Sequence, residues 1–196
     1  MKPTGKLLKL NMNSYRALNK QIFTSGKYSI VPLRMEDRYD IMKWRNEQLY
    51  HLRQHKTLRS EDQDKYFETV VANLFKKEKP DQILFSYLEN DKCIGYGGLV
   101  HINWIDKNAE ISFIMNTKLE EDNFEFHWSS YLKLLEELAF VELRFHKLYV
   151  YAFDLRPHLY AALELNQYFK DAVLKEHCFF NNQFIDVVIH SKLNKL

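Results

Sequence analysis

Glycine is scarce in this chain and stops early. Gly5, Gly26, Gly95, Gly97 and Gly98 are the five among 196 residues, against a usual share of roughly 7%. The second half has none, which excludes a Walker-type phosphate loop or a GxGxxG dinucleotide turn there. Cysteine is nearly missing too. Cys93 and Cys178 sit in apolar, strand-like contexts, and two cysteines make neither a disulfide framework nor a zinc site. They read as buried free thiols in a reducing cytoplasm. No window reaches the roughly 18 apolar residues of a membrane span, and Leu7-Leu8-Lys9-Leu10 is too short and interrupted for a signal-peptide core. Neither sign of charge is in excess: 28 Lys and Arg against 26 Asp and Glu leave +2. That balance argues against a nucleic-acid or anionic-membrane partner. Lys2, Lys6, Lys9, Arg16 and Lys20 read as a solvated or docked N-terminal extension, with a short basic binding arm as the alternative.

The chain is 46% hydrophobic and 28% charged, as soluble globular proteins are. Roughly two-thirds of the unfolded surface can be buried at this length. No repeat, low-complexity tract or linker is visible, so residues 1–27 read as an extension and 28–196 as one domain. Residues 28–33 alternate as a strand. A helix follows from Glu36 to about Gln54, with Ile41 and Trp44 on its apolar stripe. Ser60-Glu61-Asp62-Gln63 has the pattern of a capping box and opens a helix to about Lys77. Residues 82–88, 93–104 and 109–116 read as a meander of strands joined by polar turns. A helix from Phe124 to Leu143, a strand over 147–153 and a short helix from Arg156 with Pro157 in its first turn come next. Strands at 172–180 and 184–193 close the chain. The order β-α-α-β-β-β-α-β-α-β-β predicts an α/β class with a mixed, mostly antiparallel sheet flanked by helices.

In this order, YSIVPLRMEDRYDIMKWRNE, KCIGYGGLVHIN, AEISFIMN, HKLYVYAF and ALELNQYFKDAVLKEHCFFNNQFIDVVIHSKL resemble the strands and helices of the Gcn5-related N-acetyltransferase (GNAT) superfamily. The branch they resemble is that of the ribosomal-protein and amino-sugar acetyltransferases. The resemblance runs from about Tyr28 to Leu193. It implies transfer of an acyl group from acetyl-CoA, as co-substrate and without a metal, to a primary amine. The leading acceptor is a nucleotide-linked amino sugar or other small amine, with protein N-termini as the alternative. A carboxylate or His would take the amine proton. A backbone N–H at the end of the 109–116 strand, over Ile114, Met115 and Asn116, would stabilise the oxyanion. A helix N-terminus would hold the CoA pyrophosphate.

Relatives carry glycines in that pyrophosphate loop. Here Asn123-Phe124-Glu125-Phe126-His127-Trp128 stands in their place, among Glu120, Glu121 and Asp122. Two readings stay open. A glycine-free helix start still binds CoA through Phe126, His127, Trp128 and Ser129, or the chain is a non-catalytic binding protein on this scaffold.

Glu110 matches a position where relatives hold a general base, the competing reading being a surface carboxylate. His101 is the second candidate, against a half-buried structural role. Tyr160 could protonate the leaving thiolate, against simple packing. Arg45, Asn46 and Arg53 could meet an anionic group of the acceptor, and Trp104 could stack on its ring. His51 and His55 are four apart, but no third metal ligand accompanies them. A homodimer is compatible with the sequence.

Overall fold

The apolar runs assemble one sheet. The computed structural model describes residues 13–52 and 54–195. Its strands are β1 (Phe23–Ser25), β2 (Tyr28–Pro32), β3 (Ile83–Glu89), β4 (Lys92–Asn103), β5 (Asn108–Met115), β6 (Lys147–Phe153), β7 (Phe169–Phe180) and β8 (Gln183–Leu193). They lie in the order β1-β2-β3-β4-β5-β6-β8-β7. β3 is buried at six consecutive positions, Ile83 to Leu88, as befits a strand covered on both faces.

The helices are α1 (Arg38–Glu47), α2 (Ser60–Lys65, continued through the wider turns of Tyr66–Val71 and Ala72–Leu74), α3 (Thr117–Glu136, continued through Glu137–Glu142) and α4 (Pro157–Leu165). The buried face of α3 is an apolar stripe of helical period: Trp128, Tyr131, Leu132, Leu135, Leu138 and Ala139 are all at most 3% exposed. Tyr131 stacks on Phe113 of β5, with ring centroids 3.9 Å apart. Burying each such large side chain contributes about 1.5–3 kcal/mol.

Every ladder is antiparallel except that of β5 with β6. That parallel ladder has three rungs, Asn108 with Lys147, Ala109 with Leu148 and Glu110 with Tyr149. Beyond Glu110 the two strands run on without pairing. A gap therefore opens inside the sheet, between Ile111–Met115 on one side and Val150–Phe153 on the other.

Four expectations need correction. The stretch assigned to an extension contains β1, which pairs with β2 around a turn at Gly26, whose φ is 61°. Tyr15 is also part of the core: its hydroxyl donates to the Leu84 carbonyl at 2.9 Å and accepts from the Leu84 N–H at 2.8 Å. The basic residues Lys2, Lys6 and Lys9 lie outside the described residues. The capping box does not form. Ser60 is already helical, and Gln63 is buried, its amide donating to the Arg38 carbonyl at 2.9 Å. The first helix ends at Glu47 rather than Gln54, because Asn46 holds the returning chain: it accepts from the Leu58 N–H at 2.8 Å and donates to the Leu58 carbonyl at 3.0 Å.

The fourth correction concerns the segment expected as a pyrophosphate loop. It is helical from Thr117, broken only at Asn123 (φ −140°, ψ 34°). The Asn116 side chain caps it by accepting from the Lys118 N–H at 3.1 Å, and Leu119, Glu120 and Glu121 are good helix formers.

Gly97 and Gly98 show why β4 keeps its glycines. A Cβ on Gly97 would collide with the Ser112 carbonyl oxygen of β5, and one on Gly98 with the Ile83 carbonyl oxygen of β3.

Candidate active site

The gap between β5 and β6 is the neck of a cavity of about 410 Å³. Glu110 sits where the strands part. It is 8% exposed, and its Oε2 lies 2.8 Å from His101 Nδ1. Regular alternation would not bring these two together. Val100 is the residue across from Glu110, so His101 should point to the opposite face. A register shift between Val100 and Asn103, with a left-handed φ of 48° at His101, turns the imidazole onto the face of Glu110. Both side chains line the cavity. The 60% exposed imidazole is open to solvent while the carboxylate beneath it is not. A buried carboxylate in contact with an exposed imidazole can accept a proton and pass it outward.

The far wall comes from the start of α4. Arg156 is buried there, and its Nη1 donates to Glu120 Oε1 at 2.9 Å. The same nitrogen lies 3.3 Å from His51 Nε2. Burial and the Arg156 charge push the His51 imidazole down to a pKa of about 3, so it is neutral at ordinary pH. No residue pattern announces this Arg156–Glu120–His51 cluster, whose members are far apart along the chain.

The other expected residues divide. Ile114 and Trp128 line the cavity, and so does Arg45. The Met115 carbonyl accepts from the Gln48 amide at 2.8 Å, and Asn116 is the cap of α3. His127 is 3% exposed and turned into the core, its Nδ1 3.3 Å from the Tyr87 hydroxyl, and burial lowers its pKa. That inward turn corrects its assignment as a phosphate donor. Phe126 is outside the cavity, edge-on to Tyr28. Ser129 Oγ accepts from the Asn166 amide at 2.8 Å.

Asn46 closes the 47–58 loop, as described above. The Trp104 indole donates to the Pro80 carbonyl at 2.8 Å and packs edge-on against Phe145, away from the cavity. Tyr160 is likewise not among the lining residues. Its hydroxyl donates to Asp154 Oδ1 at 2.8 Å, and burial and Asp154 raise its pKa, holding its proton more tightly. Arg53 lies outside the described residues. Among the described residues no group of three His, Cys, Asp or Glu side chains is placed to hold a metal, and no helix is long and apolar enough to cross a membrane.

The residues present leave room for an elongated co-substrate. The Ile111–Met115 edge of β5 has no strand partner on the β6 side among the described residues. Its backbone groups are the kind that pair with an amide-bearing chain.

Residues 30–189 match the family model of the acetyltransferase (GNAT) domain. The fold is similar to the spermidine N-acetyltransferase from Vibrio cholerae crystallised with CoA and spermine, with a TM-score of 0.74 at 17% identity over 87% of this chain and 97% of that one. It is also similar to the dodecameric spermidine N-acetyltransferase of that organism, with a TM-score of 0.69 at 18% identity over 87% and 95%. A structure titled as a probable acetyltransferase matches with a TM-score of 0.72 at 17% identity over 87% and 95%.

Proposed function

From the premise that this chain belongs to the GNAT acetyltransferase family and is an N-acetyltransferase, we propose that it acetylates the primary amine of a small molecule at Glu110. One observation carries this reading. The Glu110 carboxylate is buried at the parting of β5 and β6, lines the cavity there and is in contact with His101. Acetyl-CoA would supply the acetyl group as a thioester: the amine nitrogen bonds to its carbonyl carbon, the C–S bond breaks, and the leaving thiolate takes a proton from solvent water.

The chain supplies the proton chemistry. A primary amine is an ammonium ion near neutral pH and is not a nucleophile until it loses a proton. Glu110 accepts that proton, directly or through one water. His101, at the cavity rim, relays it to solvent. The carboxylate also attracts and orients the incoming ammonium before the proton moves. The edge of β5 over Ile111–Ile114, unpaired on the β6 side, holds the amide-bearing arm of the co-substrate.

The acceptor favoured by the sequence, a nucleotide-linked amino sugar, remains the finer proposal, as does membership of the ribosomal-protein and amino-sugar branch. A cytoplasmic, self-associating enzyme completes it. Two measurements test the reading. Calorimetry with acetyl-CoA and with desulpho-CoA should give heat with both. Thiol release should then appear with one class of small amine. Absence of heat with either ligand would overturn the reading in favour of a binding protein that has lost CoA.

A further inference from the structure

Among the described residues, Arg45 carries a charge without a carboxylate beside it. Three other partly or fully buried arginines, Arg34, Arg38 and Arg156, each meet one: Asp37, Asp64 and Glu120. Arg45 Nε donates to Gln54 Oε1 at 2.9 Å and Nη1 donates to the Tyr96 hydroxyl. Neither acceptor is a carboxylate. Nη2 has no hydrogen-bond partner among the described residues. A half-buried guanidinium in this state is incompletely compensated, and its planar fork suits carboxylate and phosphate oxygens.

Its position gives that charge a use. Arg45 lines the cavity that contains Glu110, and it also lines a second cavity of about 430 Å³ beside α2. Gln82, Val100 and Ser112 are common to both as well, so Arg45 stands on the boundary that the two cavities share. A molecule reaching Glu110 with its amine has Arg45 on the same cavity wall.

We infer that the acceptor carries an anionic group, a carboxylate or a phosphoryl group, that docks on Arg45 while its amine faces Glu110. This rests on the acetyltransfer reading above and narrows it. A polyamine would bring a second ammonium toward an unneutralised guanidinium, which like-charge repulsion disfavours. Asp62, on the second cavity, is the seat such a cation would use instead.

The test is an acetylation panel with acetyl-CoA and four kinds of amine: spermidine, an ω-amino carboxylate, an amino-sugar phosphate and a nucleoside-diphosphate amino sugar. The three anionic arms separate carboxylate from phosphoryl recognition. At least one anionic amine should exceed spermidine in kcat/KM by about tenfold or more. In Arg45→Gln that preference should fall by about 10- to 100-fold, as expected for loss of a charged hydrogen-bonded pair, with KM carrying the change. Gln54→Glu keeps Arg45 and gives it a carboxylate, so it should produce the same loss. This second variant decides the matter if Arg45→Gln fails to fold.

Spermidine used in preference to every anionic amine would overturn this inference and leave the acetyltransfer reading standing. So would an anionic preference unchanged in the folded variants. Acetylation of no amine at all would overturn both.

Discussion

His51 should make the fold sensitive to acid by a calculable amount. Its side chain is 4% exposed, and its pKa is lowered to about 3, first by burial, then by Arg156 and His158. The groups facing it are Gln48 Oε1 at 3.2 Å, Arg156 at 3.3 Å, Glu120 at 4.0 Å, the edge of Tyr50 and the charge of His158. Arg156 contacts both the ring and Glu120 and neutralises the carboxylate that would otherwise favour an imidazolium. The unfolded chain takes up this proton near pH 6.5. The folded chain does not until about pH 3.

The unfolded state therefore binds more protons between those limits, and stability falls as pH falls. From pH 8 to pH 5 the loss amounts to about 2 kcal/mol for this one group. In a domain of this size that lowers Tm by about 4–8 °C. The assay is urea unfolding at pH 8, 7, 6 and 5 for the wild type and His51→Gln, whose amide oxygen can still accept from Arg156 without titrating. His127 and His190 have pKa values lowered by burial too, so the wild-type slope is a sum. The variant should lose about 2 kcal/mol of that slope and keep the rest. Equal slopes, whatever the absolute stabilities, would refute the buried neutral imidazole.

Replacing Glu110 with Gln should lower kcat/KM for the accepted amine by about 10²- to 10⁴-fold, the usual weight of a general base. His101→Asn, which leaves the carboxylate in place, should cost less in the same steady-state assay. Tyr15→Phe removes the partner of the buried Leu84 N–H. Leaving that donor unsatisfied should cost about 1–3 kcal/mol, read as a lower urea midpoint at unchanged m-value.

The strands and the α3 stripe were legible because alternation and a 3.6-residue period are local properties of the chain. The strand at 147–153 begins and ends where its apolar run does. β1 was not legible: three residues are too few for a period, and only the tight turn at Gly26 marks the place. The capping-box pattern misled because Gln63 finds a better partner in the Arg38 carbonyl, a tertiary contact. The glycine-free stretch 117–129, with its pattern at Asn123 to Trp128, was expected to be a loop by comparison with relatives, although the residues at 117–122 favour helix.

At the site, Glu110 and His101 were singled out separately, and their contact was not. It depends on a left-handed backbone at a non-glycine residue, which no residue pattern announces. The Arg156–Glu120–His51 cluster was hidden for a different reason, since three chain segments must fold together before it exists.

The three rungs between β5 and β6 divide the sheet mechanically into a five-strand plate and a three-strand plate, hinged at one end. Spreading the far ends breaks no ladder hydrogen bond between them. The width of the cleft is therefore set by side-chain packing, while its vertex is set by backbone. Glu110 occupies the vertex. Any widening of the cleft would displace that vertex least, so the carboxylate would keep its place while the walls around it moved.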